Sequence, residues 1–472
     1  MPLPDVTVKI LDGGLGMLPP GTSGLHAKVG VSSAGTVGEI VSVTDPGKIA
    51  DLFGTGPLAN ALYDSFAAGA RLVYAVRANG DIPGQIGTVT KTKTGQGDLN
   101  VTGSPLDAYE LVVEIVDPGA KNVATFRYSL DGGDTFSAKI TVPTALTYEI
   151  PGTGLTLNFS EYVTDPNNSF LAGDRYTCRT TAPRPSVNSV NAAIDTLLNS
   201  KYLYEFIHAV GDSDAAMWAA LAAKAAEAET RYRYIHFLSE ARGPESTETV
   251  DQWVSALLAE KSGFASTRVS ICAGRFELVD MGTGRIVDRN GAGIYAGRVS
   301  SIPVQRSPGE VMEGPLPAVV RLNPPGINDG HILALDEAGF VTFRQYIGLS
   351  GLYVTNGRMA AEPTSDFQYV ELRRVMDKAC AQVRAAALRL EHAEIDPTNM
   401  EKSLSAAEAQ LTAPLDNMVG AREIARGRVV IPRDQDVLAT SKIRVKVRIV
   451  PMAIMRWIEL EIGFENPFRA AA

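Results

Sequence analysis

Residues 204–274 read "YEFIHAVG" (204–211), "DAAMWAALAAKAAEAETRY" (214–232), "RYIHFLSE" (233–240), "TVDQWVSALLAEK" (249–261) and "TRVSICAG" (267–274), joined by short polar links. Apolar runs of strand length alternate with segments whose apolar residues recur every three or four positions, the spacing of one helix face. A further helical segment, "VNAAIDTLLNS" (190–200), precedes them. Such alternation predicts a layered α/β sheet. The alanine-rich segment reads as a helix that packs its apolar face and leaves Glu227 and Glu229 in water.

Towards the N-terminus the same style returns. "HAKVGVSS", "GEIVSVTD" and "ARLVYAVRA" are strand candidates, and Leu58, Leu62 and Phe66 between them fall four apart, as on one helix. Ahead of these, Val6, Val8 and Ile10 alternate in "DVTVKI" before the glycine-rich "LDGGLGMLPPGTSG", so the opening reads as a short strand and a flexible linker. Pro19 and Pro20 stand where a phosphate-binding helix would have to begin, which counts against a nucleotide loop.

From Gln85 to Pro185 the helical period disappears. "ELVVEIV", "TFRYSL", "AKITV", "LTLNF" and "DRYTCRTT" are strands, and "LDGGDTF" is a hairpin signal because Asp-Gly and Gly-Gly accept the positive φ such turns need. An inserted β-sandwich or barrel is expected, with "APRPS" as its stiff exit. Asp131 and Asp134 in that hairpin suggest calcium only loosely, since the carboxylate order of a calcium loop is missing.

Further on we expect a loop-rich stretch over 298–332, "RVSSIPVQRSPGEVMEGPLPAVVRLNPPGINDGHI", a strand pair around "ILALDEAGFVTFRQY", and a long helix from about Asp366, whose carboxylate suits an N-cap. Leu372, Val375, Met376, Ala379, Cys380, Val383, Ala386, Ala387 and Leu390 form its apolar stripe. Leu404, Leu411, Leu415 and Met418 mark a second helix, kinked at Pro414 and capped by Gly420.

The chain of 472 residues is long enough for about three domains. Its 45% hydrophobic and 21% charged residues fit a globular protein, and a formal charge of -9 argues against a nucleic-acid surface, which needs clustered cations. No stretch has the length and apolarity of a membrane span, and "MPLPDVTVKI" lacks the pattern of a signal peptide, so a cytoplasmic origin is expected. Cys178, Cys272 and Cys380 lie too far apart for a zinc motif and read as reduced packing residues, with cross-linking between copies left open. Asp329, His331, Asp336 and Glu337 gather in "NDGHILALDE", yet a turn entering a regular element favours the same residues. No catalytic, cofactor or metal site is expected.

Alternation is plainest at the C-terminus. Ile443, Val445, Val447 and Ile449 alternate with Lys442, Arg444, Lys446 and Arg448. Ile458, Leu460, Ile462 and Phe464 alternate with Trp457, Glu459 and Glu461. One strand is basic on its polar face and the next acidic. The two can form a hairpin within one chain, be given to neighbouring copies, or divide between these fates.

In "NGAGIYAGRVSSIPVQRSPG", "LNPPGIND", "GLYVTNGRMAAEPTSDFQYVELRRVMDKACAQVRAAA" and the terminal strands, the order of features from Asn290 onward resembles the tail sheath proteins of contractile-tailed phages, and "LFGTGPLANALYDSFAAGARLVYAVRA" resembles an early sheath segment. "TNGRM" departs from the aromatic-Gly-Ala-Arg of many sheaths, which bears on the subfamily rather than the fold.

The resemblance implies a mixed α/β, multidomain fold. Its parts are an N-terminal arm and linker (1–24), the first part of an α/β core (25–84), an inserted β-rich outer domain (85–185), an α/β sheath domain (186–365), a helical part (366–440) and C-terminal strands (441–472). It implies a non-enzymatic homopolymer, a helical sleeve around a tail tube that contracts to drive the tube through a bacterial envelope. Tube, baseplate and tail terminator proteins are its implied partners, without direct nucleic acid or membrane insertion. The implied location is the virion tail, assembled in the host cytoplasm. Val6, Val8 and Ile10 together with the C-terminal alternating residues would join subunits by strand exchange, and the 366–418 helices would face the tube. A phage-like bacteriocin or injection particle fits the same mechanics. An α/β enzyme with an inserted binding domain is the competing class.

Overall fold

The computed structural model describes residues 24–464, which divide into two compact units on either side of the Ala381–Gln382 junction. Val6, Val8 and Ile10 lie outside the described residues.

The first unit is built on a seven-stranded sheet. From edge to edge its strands are Phe340–Val341, Val269–Cys272, His236–Ala241, Phe206–Ser213, His26–Gly30, Val73–Arg77 and Ile40–Val43. All neighbours run parallel except the last pair, which is antiparallel. A parallel sheet needs cover on both faces. Helices Val187–Asn199, Ala215–Thr230, Val250–Lys261 and Asp329–Glu337 supply one cover through Ile194, Leu197, Trp218, Leu221, Trp253, Leu257 and Leu335, all buried. Ser186, Asp214, Thr249 and Asn328 each accept a backbone N–H at the start of one of these helices, as N-caps do.

On the opposite face lie helices Pro57–Ala67 and Ala292–Ser301. They cross at glycines. A methyl group at Gly293 would come within 2.7 Å of Asp64 Cβ, and one at Gly297 within 2.6 Å of Ala68 Cβ, so only glycine permits this approach. The Ser65 hydroxyl donates to the Gly293 carbonyl at 2.8 Å across the crossing.

Residues 90–179 contribute a five-stranded and a three-stranded antiparallel sheet around one core containing Leu111, Val113, Ile115, Phe126, Leu157, Phe159, Phe170 and Tyr176. In the turn after Thr125–Ser129, the Asp131 carboxylate accepts from the Ser129 hydroxyl and from the backbone and hydroxyl of Thr135. Those bonds satisfy an ordinary turn.

Several local expectations are corrected. Asp329–Glu337 is a helix rather than part of a strand pair, because Asn328 and His331 form a capping box and Ile332 and Leu335 share its buried face. The strand pair that does exist joins Phe343–Arg344 to Tyr353–Val354. The stretch read as loop-rich, 298–332, opens inside the buried helix Ala292–Ser301, so its first four residues are helical. The long helix is Val370–Leu388, starting four residues after Asp366, because Val370 N–H donates to the Gly357 carbonyl and Met359 N–H to that of Gln368, holding 357–370 as an extended turn. Strands Arg275–Val279, Ile286–Asn290 and Val319–Asn323, which pair as a separate antiparallel sheet, have no counterpart in the sequence reading.

In the second unit, helix Met400–Gly420 runs through Pro414 and has its C-cap at Ala421, one residue past the expected Gly420 cap. Its buried Leu404, Leu411, Leu415 and Met418 face the strand Ile424–Val430, which pairs antiparallel with Lys446–Pro451. Gly427 lets the strand lie on Leu415, since a Cβ there would stand 2.6 Å from Leu415 Cβ.

Candidate subunit interface

The basic C-terminal strand begins at Lys446, so Lys442, Ile443, Arg444 and Val445 are the irregular approach to it. That approach is fixed by Gln435, whose amide donates to the Arg444 carbonyl at 3.0 Å while its oxygen accepts the Arg444 N–H at 2.6 Å. Strand register then decides which side chains share a face. Val447 stands opposite Val429 and Ile449 opposite Gly427, on the side towards helix Met400–Gly420. Lys446 stands opposite Val430, Arg448 opposite Arg428 and Val450 opposite Arg426. The outer face therefore carries Arg426, Arg428, Lys446 and Arg448, and among the described residues no ion pair engages them. Arg426 and Arg428 were missed from the sequence, although "IARGRVV" alternates as strands do, because the segment directly follows a strongly periodic helix.

Among the described residues, pairing with one strand leaves this sheet with two open edges, and an isolated two-stranded sheet is marginal in water. The described residues 452–464 do not close it. Trp457, Ile458, Glu459, Leu460, Glu461, Ile462 and Phe464 belong to no strand among the described residues. Ile462 is 91% exposed and Trp457 81%, alongside exposed Ile458, Leu460 and Phe464. The acidic segment does not form a hairpin with Lys446–Pro451, whose partner is Ile424–Val430, and no ion pair joins Glu459 or Glu461 to the basic residues among the described residues.

The groups weighed for other chemistry are engaged in holding the fold. The Asp336 carboxylate accepts from Asn356 and Arg358 at 2.7–3.1 Å, and His331 bonds Asp251 at 2.7 Å. Cys178 and Cys272 are buried free thiols and Cys380 is partly buried; burial pushes each thiol up from its ordinary value. Among the described residues no three His, Cys, Asp or Glu side chains are grouped to hold a metal, and no helix is long and apolar enough to cross a membrane.

Two sequence families match the chain: "DUF2586, N-terminal domain" over residues 3–358 and "DUF2586, C-terminal domain" over residues 366–469. A relative from Haemophilus phage HP1 that carries a tail sheath name is 31% identical over 107 residues, 21% of this chain and 28% of that protein, so the match spans little more than a quarter of the relative's length. Among solved structures, the sheath complex of a PVC extracellular contractile injection system in its contracted state superposes with TM-score 0.54 at 12% identity, covering 99% of both chains. A chain of the anti-feeding prophage baseplate gives the same TM-score and identity over 99% of this chain and 100% of that one. At such identity the likeness establishes the fold: the chain has the mixed α/β fold of contractile sheath proteins.

Proposed function

The chain belongs to the DUF2586 family, and with its sheath-type fold as the second premise we propose that it is the non-enzymatic subunit of a contractile sheath. Copies polymerise as a helical sleeve around a tail tube, and contraction of the sleeve drives the tube through a bacterial envelope. The observation that carries this reading is the exposed, alternating Trp457–Phe464 segment beside a two-stranded sheet with open edges. Catalysis needs neither.

In this reading the 457–464 segment of one copy adds to the free edge of Lys446–Pro451 in another, as extended chains complete open sheets. Both faces then match. Ile458, Leu460 and Ile462 continue the apolar side of Val447 and Ile449, while Glu459 and Glu461 lie over Arg428, Lys446 and Arg448. Burial supplies most of the affinity, at about 1.5–3 kcal/mol for each fully covered aliphatic side chain. The charge pairs, at roughly 0.2–1 kcal/mol each, select register and partner. Val6, Val8 and Ile10 take the second open edge.

We read residues 1–24 as an arm, 25–84 and 186–365 as the sheath body, 85–185 as an outward domain, 366–440 as a helical part whose 366–418 helices meet the tube, and 441–472 as the linking strands. The partners are further copies, a tube protein, baseplate proteins and a tail terminator, in a particle assembled in the bacterial cytoplasm. Likeness to the PVC injection system and the anti-feeding prophage supports a phage-like injection particle, and the partial match to the Haemophilus phage HP1 relative supports a virion tail.

Deleting Trp457–Ala472 tests the reading. Circular dichroism and sedimentation should show a folded, soluble chain, and electron microscopy should show no sleeves. Sleeves of normal length from the truncated chain would refute strand exchange through this segment.

A further inference from the structure

On the outer face of the five-stranded sheet, one guanidinium stands without a partner at the wall of a groove. In strand Arg175–Arg179, Tyr176 and Cys178 point into the core, so Arg175, Thr177 and Arg179 share the opposite face. Register places Arg175 between Thr92 and Glu114, Thr177 between Thr90 and Val112, and Arg179 beside Glu110. Glu114 in turn stands opposite Arg127. Arg127 donates to Glu114 at 3.0 and 2.8 Å, and its guanidinium lies 4.3 Å from the centre of the Phe136 ring. Arg179 pairs with Glu110 at 2.9 Å. Both carboxylates are thereby matched to other arginines. Arg175 is exposed, and among the described residues no hydrogen bond or ion pair engages it.

The groove beside it has a volume of about 470 Å³, and its lining includes Thr88, Thr90, Glu110, Arg175, Thr177 and Arg179. Small-molecule sites span about 300–1,000 Å³, far more than one inorganic anion fills. Among the described residues the hydroxyls of Thr88, Thr90 and Thr177 make no hydrogen bond.

We propose that this groove binds an acidic saccharide, with a sugar carboxylate on Arg175 and sugar hydroxyls on Thr88, Thr90 and Thr177. The inference goes beyond the sheath reading and does not rest on it. A guanidinium presents paired N–H groups that match the two oxygens of a carboxylate. Because Glu110 and Glu114 are already matched, an incoming carboxylate meets one unbalanced positive charge rather than a neutral surface. Threonine hydroxyls both donate and accept, as sugar hydroxyls do, and Glu110 keeps acceptor capacity beyond its bond to Arg179. A bare anion would use Arg175 and leave this row of hydroxyls idle. Thr90, Glu110, Arg175, Thr177 and Arg179 all stand on paired strands, so binding demands little ordering.

Calorimetric titration of the full chain with trigalacturonate, the neutral trisaccharide maltotriose and inorganic phosphate tests this. Trigalacturonate should bind, and maltotriose and phosphate should each bind about tenfold more weakly or not at all, since each lacks one half of the recognised chemistry. Arg175→Ala should weaken trigalacturonate about tenfold or more, and Arg175→Lys should recover only part of that loss, because an ammonium lacks the fork. Arg175 is exposed and unpaired, so both variants should keep the wild-type circular dichroism. Hydrogen exchange at residues 88–92 and 110–114 should slow when trigalacturonate is present. Absence of trigalacturonate binding, equal binding by Arg175→Ala, or maltotriose or phosphate that binds as tightly as trigalacturonate overturns the proposal.

Discussion

Arg428 and Arg448 occupy directly opposed positions in the C-terminal ladder, so two guanidinium side chains share the outer face of a two-stranded sheet. Like charges in that relationship oppose pairing by a few tenths of a kcal/mol up to about 1 kcal/mol. The isolated subunit carries this cost, and an acidic strand laid beside it would remove it.

Arg448→Glu is therefore expected to leave the subunit as stable as before, or more stable by up to about 1 kcal/mol, while reducing sleeve formation. Combining it with Glu459→Arg and Glu461→Arg should restore assembly. Denaturant titration reads the first effect and sedimentation the second. Assembly that is indifferent to both changes would show that the two charged faces do not meet.

Arg374 and Glu205 form an ion pair with 0% and 4% side-chain exposure, with contacts at 2.9 and 3.2 Å. Arg374→Met leaves Glu205 without its buried partner, and about 3–5 kcal/mol of stability should be lost. Changing Glu205→Leu as well should recover much of it. A loss below about 1 kcal/mol in the single variant, measured by chemical denaturation, would contradict the inferred geometry.

Gly297→Ala places a methyl against Ala68 and the Ser65 carbonyl, where neither side can yield without moving a helix. A cost of about 1–3 kcal/mol follows from overpacking. Gly284 has open space around its Cβ position but sits at φ 72° in an exposed turn, so Gly284→Ala should cost about 1 kcal/mol through backbone strain alone. The thermal midpoints of the two variants should rank in that order.

Arg285 donates to the Asp134 carboxylate at 2.8 Å and to the Asp131 carbonyl at 2.6 Å, tying the turn of the 90–179 sheets to the antiparallel sheet beside the core. The pair is largely exposed, so Arg285→Ala should change global stability by less than about 1 kcal/mol. Exchange at residues 129–136 should nonetheless accelerate. Unchanged exchange there would mean that the guanidinium does not restrain the turn.

Much of this architecture was legible because local pattern and tertiary role agree. Ile194, Leu197, Trp218 and Leu257 follow the helical period and are buried, and the three early strands lie where alternation put them. Failures arose where a contact distant in sequence overrides the local signal. The helix Ala292–Ser301 overlaps a stretch read as loop-rich from Arg298 because its close packing through Gly293 and Gly297 depends on a helix far away in sequence, and the Gly357 carbonyl sets the start of the Val370 helix more than Asp366 does. In the candidate interface, alternation revealed Lys446, Val447, Arg448 and Ile449 but not their partner strand, since pairing register depends on residues that sequence spacing does not connect. The buried contacts of His208 with Lys28 at 2.7 Å and with Glu240 at 2.9 Å were invisible for the same reason: these residues are adjacent only through the sheet.

The most direct measurement is a side-chain-resolution cryo-EM map of the assembled protein. Residues 457–464 of another copy should run alongside Lys446–Pro451, with Glu459 and Glu461 over the arginine face and Ile458 and Leu460 on the helix side. A map in which that edge is bare, or is covered by its own chain's last residues, would contradict the account.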